Sequence, residues 1–161
     1  MCNTLDDAKA FGALSHSVKV DAAMAGQYDA VCLCGGHGTC VDFYGPSAAA
    51  LKAVVEGTYA AGKVVGAVCH GPIGLIDCLK ADGTPLVAGL EVTGFSDVEE
   101  GQVGQTGNVP FLIESKFKEL GASYVCGEPW TSKTAAAGKL LTGQNPQSSE
   151  ALAALVVKTL A

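Results

Sequence analysis

Cys69 and His70 stand side by side in the segment Val64-Val65-Gly66-Ala67-Val68-Cys69-His70-Gly71-Pro72. The apolar run predicts a buried strand, and Pro72 suits the first turn of a helix, so the cysteine falls on the bend between them. Small residues sit two positions before it, Ala67, and two after it, Gly71. A nucleophile elbow needs that pattern, because a sharp strand-to-helix turn leaves no room for side chains at those sites. A thiol placed there lies at a helix N-terminus, whose partial positive charge is expected to favour thiolate over thiol. His70, next in the chain, is the candidate base.

A second loop, Gly35-Gly36-His37-Gly38, follows another apolar run over residues 30–34. In a parallel sheet both loops would open on the same carboxyl edge, where ligands gather. Free N–H groups of its glycines could cradle the oxyanion formed when Cys69 attacks a carbonyl. Taken alone the loop reads equally as a plain turn, and His37 equally as a substrate contact or a side chain facing water. His16, in a polar stretch, reads as solvated. A third group should orient His70, and Asp97, Glu99 and Glu100 are all available in Thr93-Gly94-Phe95-Ser96-Asp97-Val98-Glu99-Glu100. The sequence alone does not separate these three acids.

The elements that must hold these groups alternate along the chain. Helices are expected over residues 4–14 (capped by Thr4), 47–61, 72–79, 108–120 and 148–160, and strands over 30–34, 63–68 and 139–142. Gly62 and Gly121 follow two of the helices as C-terminal caps. Strands spaced by helices imply an α/β domain with a mostly parallel sheet. Folds of this kind commonly open on a strand that takes a central place. Here the first strand starts near Asp29, so the usual opening strand is expected to be missing.

The chain has 161 residues, enough for one domain. With 48% hydrophobic and 16% charged residues it is neither disordered nor a coiled coil. The formal net charge is −6 and the sequence holds no arginine, which argues against nucleic-acid binding and against an anionic membrane surface. No apolar run approaches the roughly 18–20 residues needed to cross a bilayer. The start, Met1-Cys2-Asn3-Thr4-Leu5-Asp6-Asp7, lacks the pattern of a signal peptide. The seven cysteines are odd in number and contain no Cys-x-x-Cys pair, as expected of a cytoplasmic, reducing location. Cys32 and Cys34 share one strand face and read as small buried core thiols more readily than as a metal pair.

Five segments together carry a resemblance: Gly35-Gly36-His37-Gly38, Ala67-Val68-Cys69-His70-Gly71-Pro72, Val92-Thr93-Gly94-Phe95-Ser96-Asp97-Val98-Glu99-Glu100, Val109-Pro110-Phe111-Leu112 and Leu141-Thr142-Gly143-Gln144-Asn145-Pro146-Gln147-Ser148-Ser149. They occur in order from about Tyr28 to the C-terminus. The chain resembles the ThiJ/PfpI family of the class I glutamine-amidotransferase-like superfamily, and within it the heat-shock-chaperone-like, glutathione-independent glyoxalase branch. The resemblance implies a flavodoxin-like three-layer α/β fold. It makes Cys69 the nucleophile, His70 its partner and Glu100 the acid completing a triad. Gly36 and the backbone after Cys69 would form the oxyanion site, with His37 and Gly71 as further oxyanion or substrate contacts.

Family members open with a strand and a stretch that supplies an acidic residue to the nucleophilic thiol. Nothing in residues 1–26 matches that opening, so residues 1–161 are expected to form a single domain that is incomplete at its N-terminus. The implied activity is conversion of methylglyoxal-type 2-oxoaldehydes to D-lactate (a D-lactate dehydratase-like lyase) in carbonyl-stress defence. It needs a small aldehyde substrate but no cofactor and no metal, and the implied assembly is a homodimer. Alternatives within the resemblance are a protein deglycase or peptidase, a redox-sensing chaperone, and an inactive truncated copy.

Overall fold

Alternation along one short strand sets up the layers. In β2 (Val64–Val68), Val65 and Ala67 enter a larger core with Val55, Ile73 and Phe117, while Val64 and Val68 meet a smaller one with Leu141, Leu152 and Val156. An all-apolar strand is stable only where both faces are covered, and β2 is central. It pairs in parallel with β1 (Ala30–Leu33) on one side and β6 (Leu140–Gly143) on the other. β5 (Thr134–Ala137) runs antiparallel beyond β6, giving the order β1-β2-β6-β5. The computed structural model describes residues 8–161.

Helices cover both faces. Towards the larger core lie α3 (Ala49–Ala60), through Val55, and α5 (Ile113–Glu119), through Ile113 and Phe117 four residues apart. On the other face α6 (Ser149–Leu160) applies Leu152 and Val156 at the same helical spacing. A separate parallel pair, β3 (Glu91–Val92) with β4 (Ser123–Tyr124), is tied to the main sheet where the Thr93 N–H donates to Thr142 Oγ1 at 2.8 Å. Three more helices complete the described chain: α1 (Ala8–Ser15), α2 (Thr39–Asp42) and α4 (Asp97–Gln102). The result is a three-layer α/β sandwich with a mostly parallel sheet. No helix among the described residues is long and apolar enough to cross a membrane.

The expected strands over 30–34, 63–68 and 139–142 and helices over 47–61 and 148–160 form within a residue or two of those bounds, as β1, β2, β6, α3 and α6. The helix expected over 108–120 is only α5, because Pro110 has no N–H to donate and holds Val109 away from helical geometry. That expected over 72–79 is a five-residue 3-10 turn, Gly71–Leu75, whose two glycines weaken a longer helix. Thr4, the expected first cap, lies outside the described residues. Cys32 and Cys34 correct another expectation: they are exposed rather than buried core thiols. Among the described residues β1 is the sheet's edge, and α6 leaves a cavity of about 350 Å³ beside it, lined by both thiols with Val68, Leu152 and Val156.

Candidate active site

The chain turns at Cys69 with φ 61°, a left-handed conformation that costs a non-glycine residue about 1–3 kcal/mol. Two hydrogen bonds hold it there: the Cys69 N–H donates to the Gly143 carbonyl at 3.0 Å, and the Phe95 N–H donates to the Cys69 carbonyl at 3.0 Å. The flanking small residues are required by space. A Cβ on Gly71 would stand 2.0 Å from the Leu33 carbonyl oxygen, and Ala67 is fully buried. The glycine loop after β1 lies directly against the bend, since a Cβ on Gly35 would come within 2.6 Å of the His70 nitrogen. Thr39, at the start of α2, anchors this loop by donating from Oγ1 to the Gly36 carbonyl at 2.8 Å. Among the described residues neither the Gly36 nor the His70 amide is engaged by a backbone carbonyl.

The side chains then form a line. Cys69 Sγ is 3.4 Å from His70 Nδ1, and His70 Nε2 is 2.7 Å from Glu100 Oε2. With Nε2–H donating to the carboxylate, Nδ1 presents its lone pair to the thiol. The other carboxylate oxygen, Oε1, is 2.9 Å from His37 Nε2, so one acid joins both histidines. Phe95 lies tilted over the His70 ring at 4.3 Å between centroids, and Trp130 meets Phe95 edge-on at 5.6 Å. No spacing in the sequence singles out these two aromatic residues.

Helix α4 separates the three acids that the sequence left open. Ser96 caps it, and its Oγ accepts from the Glu99 N–H while the Ser96 N–H donates to Glu99 Oε2. The Ser96-x-x-Glu99 spacing is a legible capping-box signal. Glu99 points away from the histidines and accepts from the Trp130 N–H at 2.8 Å and from Asn145 Nδ2 at 2.7 Å. Asp97 faces α5 and accepts from Ser115 Oγ. One residue further round the helix, only Glu100 reaches His70.

Ionisation departs from expectation. Burial pushes the Cys69 thiol up to about 11; the His70 N–H draws it back in part, and the negative Glu99 and Glu100 push it further. Burial also lowers the His70 imidazole, outweighing the hydrogen bond it donates to Glu100, which favours its charged form. The resting pair is therefore a thiol beside a neutral imidazole, not the thiolate expected from a helix N-terminus. The 3-10 turn that follows is too short to supply much dipole, and desolvation dominates.

The structure thus brings Cys69, His70, Glu100 and His37 together, sets Gly35 against the bend and Gly71 against Leu33, and leaves Gly36 lining a cavity with Cys69. His16 is exposed, as expected, and bonds to Ser15 and Gly12 at the end of α1. Among the described residues, the group able to hold a metal ion is His37, His70 and Glu100, whose ligand atoms all lie within 4.8 Å of one another.

A model of the DJ-1/PfpI family matches residues 5–159. The chain is 37% identical over 145 residues to Glyoxalase 3 of Candida albicans, covering 85% of the chain and 60% of that relative. It is 38% identical over 134 residues to a glutathione-independent glyoxalase of Saccharomyces cerevisiae, covering 78% and 54%. Glyoxalase III from Candida albicans superposes with a TM-score of 0.76 at 35% identity, over 83% of this chain and 58% of that one. The 24 kDa rapid encystment protein of Francisella tularensis does so with a TM-score of 0.88 at 35% identity, over 98% and 69%. This chain spans little more than half the length of the curated relatives it matches. With a family model matched over nearly all its length and relatives 37% and 38% identical, the chain belongs to the DJ-1/PfpI family.

Proposed function

We propose that this chain is a cysteine-dependent, glutathione-independent glyoxalase that converts 2-oxoaldehydes of the methylglyoxal class to D-lactate-type acids. The observation that carries this reading is the line from Cys69 through His70 to Glu100, at 3.4 and 2.7 Å. Ionising a thiol of pKa about 11 at neutral pH costs about 5 kcal/mol. Proton transfer to His70 Nδ1 therefore accompanies attack rather than preceding it. The C–S bond forms at the aldehyde carbon, and the carbonyl electron pair moves to oxygen, within reach of the Gly36 and His70 amides. Glu100 stabilises the imidazolium that results.

The hemithioacetal carbon then loses its proton and the neighbouring carbonyl carbon gains one, giving a thioester with no net change in hydrogen. Water cleaves the thioester and restores the Cys69 thiol. Aldehyde plus water becomes hydroxy acid, and the enzyme's own sulfur takes the part of glutathione. By the same resemblance, we extend the reading to a homodimer that acts in the cytoplasm in carbonyl-stress defence.

The test is D-lactate formation from methylglyoxal in glutathione-free buffer. Cys69→Ser, checked for folding by circular dichroism, is expected to lose activity by at least about 1000-fold. Turnover that survives in this variant overturns the assignment.

A further inference from the structure

We propose that His37, His70 and Glu100 form an inhibitory site for a divalent transition-metal ion, with zinc the best fit. Three separate segments deliver the donors: the loop after β1, the bend at Cys69, and α4. Both histidines turn Nε2 towards the same carboxylate, at 2.9 and 2.7 Å, and their rings stand 4.0 Å apart at 41°. A tetrahedral zinc ion holds nitrogen and oxygen donors at about 2.0–2.2 Å, which places the donors about 3.3 Å from one another. The two nitrogen–oxygen separations, each to a different oxygen of Glu100, need to open by about 0.4 and 0.6 Å, and the ligand atoms, all within 4.8 Å of one another, must draw around the ion as it replaces the two N–H protons. Glu100 is buried while His37 is 43% exposed at its side chain, so the ion has an entry path and a fourth position open to water. Two imidazoles and one carboxylate suit zinc, cobalt or nickel and not magnesium or calcium.

Occupancy would change what His70 can do. With the metal on Nε2, the ring's remaining proton sits on Nδ1, which then faces Cys69 Sγ as a donor and no longer accepts from the thiol. Zinc thus removes the base without touching the sulfur. This consequence rests on the reading of His70 as the base for Cys69; metal binding itself does not.

Cobalt(II) chloride titrated into the full chain provides the first readout. One equivalent is expected to bind with visible d–d absorption and no sulfur-to-cobalt charge transfer, and to be displaced by zinc. Binding should persist in Cys69→Ser and weaken more than about 100-fold in His37→Ala, beyond the effect of losing an outer-shell partner. The second readout is D-lactate formation from methylglyoxal by the metal-free chain, which zinc should slow about tenfold and EDTA should restore; a rate unchanged by bound zinc overturns the inhibitory role. A charge-transfer band that Cys69→Ser removes, or cobalt binding undiminished in His37→Ala, overturns the proposal. If binding follows this pattern but no D-lactate forms, the glyoxalase reading fails and the metal site stands; turnover without binding gives the reverse.

Discussion

At Cys69 two forces that raise energy coincide: a left-handed backbone and a sulfur removed from water. The strain keeps the thiol at the bend, and burial keeps it protonated until His70 takes the proton. Because the thiolate fraction grows with pH up to about 11, labelling of Cys69 by iodoacetamide should accelerate nearly tenfold per unit between about pH 7 and 10. Site-resolved mass spectrometry of the labelled peptide measures this. A plateau near neutrality would show that ionisation is governed by local dipoles and not by desolvation. The same protonation counts against the redox-sensor alternative, since sensing cysteines oxidise through an exposed, low-pKa thiolate.

Two glycines in different elements should respond in opposite ways to the same substitution. In the 3-10 turn after the bend, Gly71→Ala would drive a methyl group into the Leu33 carbonyl oxygen, 2.0 Å away, and force β1 and β2 apart at their active ends. A loss of about 3 kcal/mol is expected, at the upper end for overpacking. In α4, a Cβ on Gly101 meets nothing within 4 Å, and its φ is not left-handed. Gly101→Ala should therefore stabilise the chain by about 0.5–1 kcal/mol, by reducing the freedom of the unfolded state. Urea unfolding of both variants measures the contrast; equal effects would mean that close approach does not set the bend.

Glu99 ties the molecule together across regions far apart in sequence. Its carboxylate accepts from the α4 cap at Ser96, from the Trp130 N–H, and from Asn145 just after β6. Burial pushes this carboxyl up, yet the hydrogen bonds from Trp130, Asn145 and Ser96 together hold it below the usual range. A depressed folded pKa means stability that is fully present above the unfolded carboxyl value of about 4.3 and is lost as pH falls through the lower folded one. Glu99→Gln should cost about 2–3 kcal/mol at neutral pH, because an amide cannot replace a carboxylate among four donors, the Ser96 N–H and Oγ–H, the Trp130 N–H and Asn145 Nδ2. Thermal melts from pH 7 down to 3 should show the variant's stability falling less steeply than that of the parent chain. Parallel curves would assign acid sensitivity to other groups.

Local pattern was enough for the parts whose physics is local. The apolar run of β2 and the Leu152 and Val156 spacing of α6 depend only on which faces must leave water. Ala67, Cys69, Gly71 and Pro72 announce the bend because a tight turn excludes side chains wherever it occurs. β5 stayed hidden: its Thr-Ala-Ala-Ala run is stabilised by pairing with β6 and not by its own apolar content. Glu99 and Glu100 are neighbours in sequence, and only the phase of α4, fixed by the cap at Ser96 and its packing, aims one at Trp130 and the other at His70. His37 meets His70 because β1 and β2 lie side by side, and Glu100 joins His37 across 63 positions because the Phe95 N–H, bonded to the Cys69 carbonyl, holds the start of α4 against the bend. The direction in which the thiol titrates was likewise beyond the sequence, since desolvation depends on every atom packed around the sulfur.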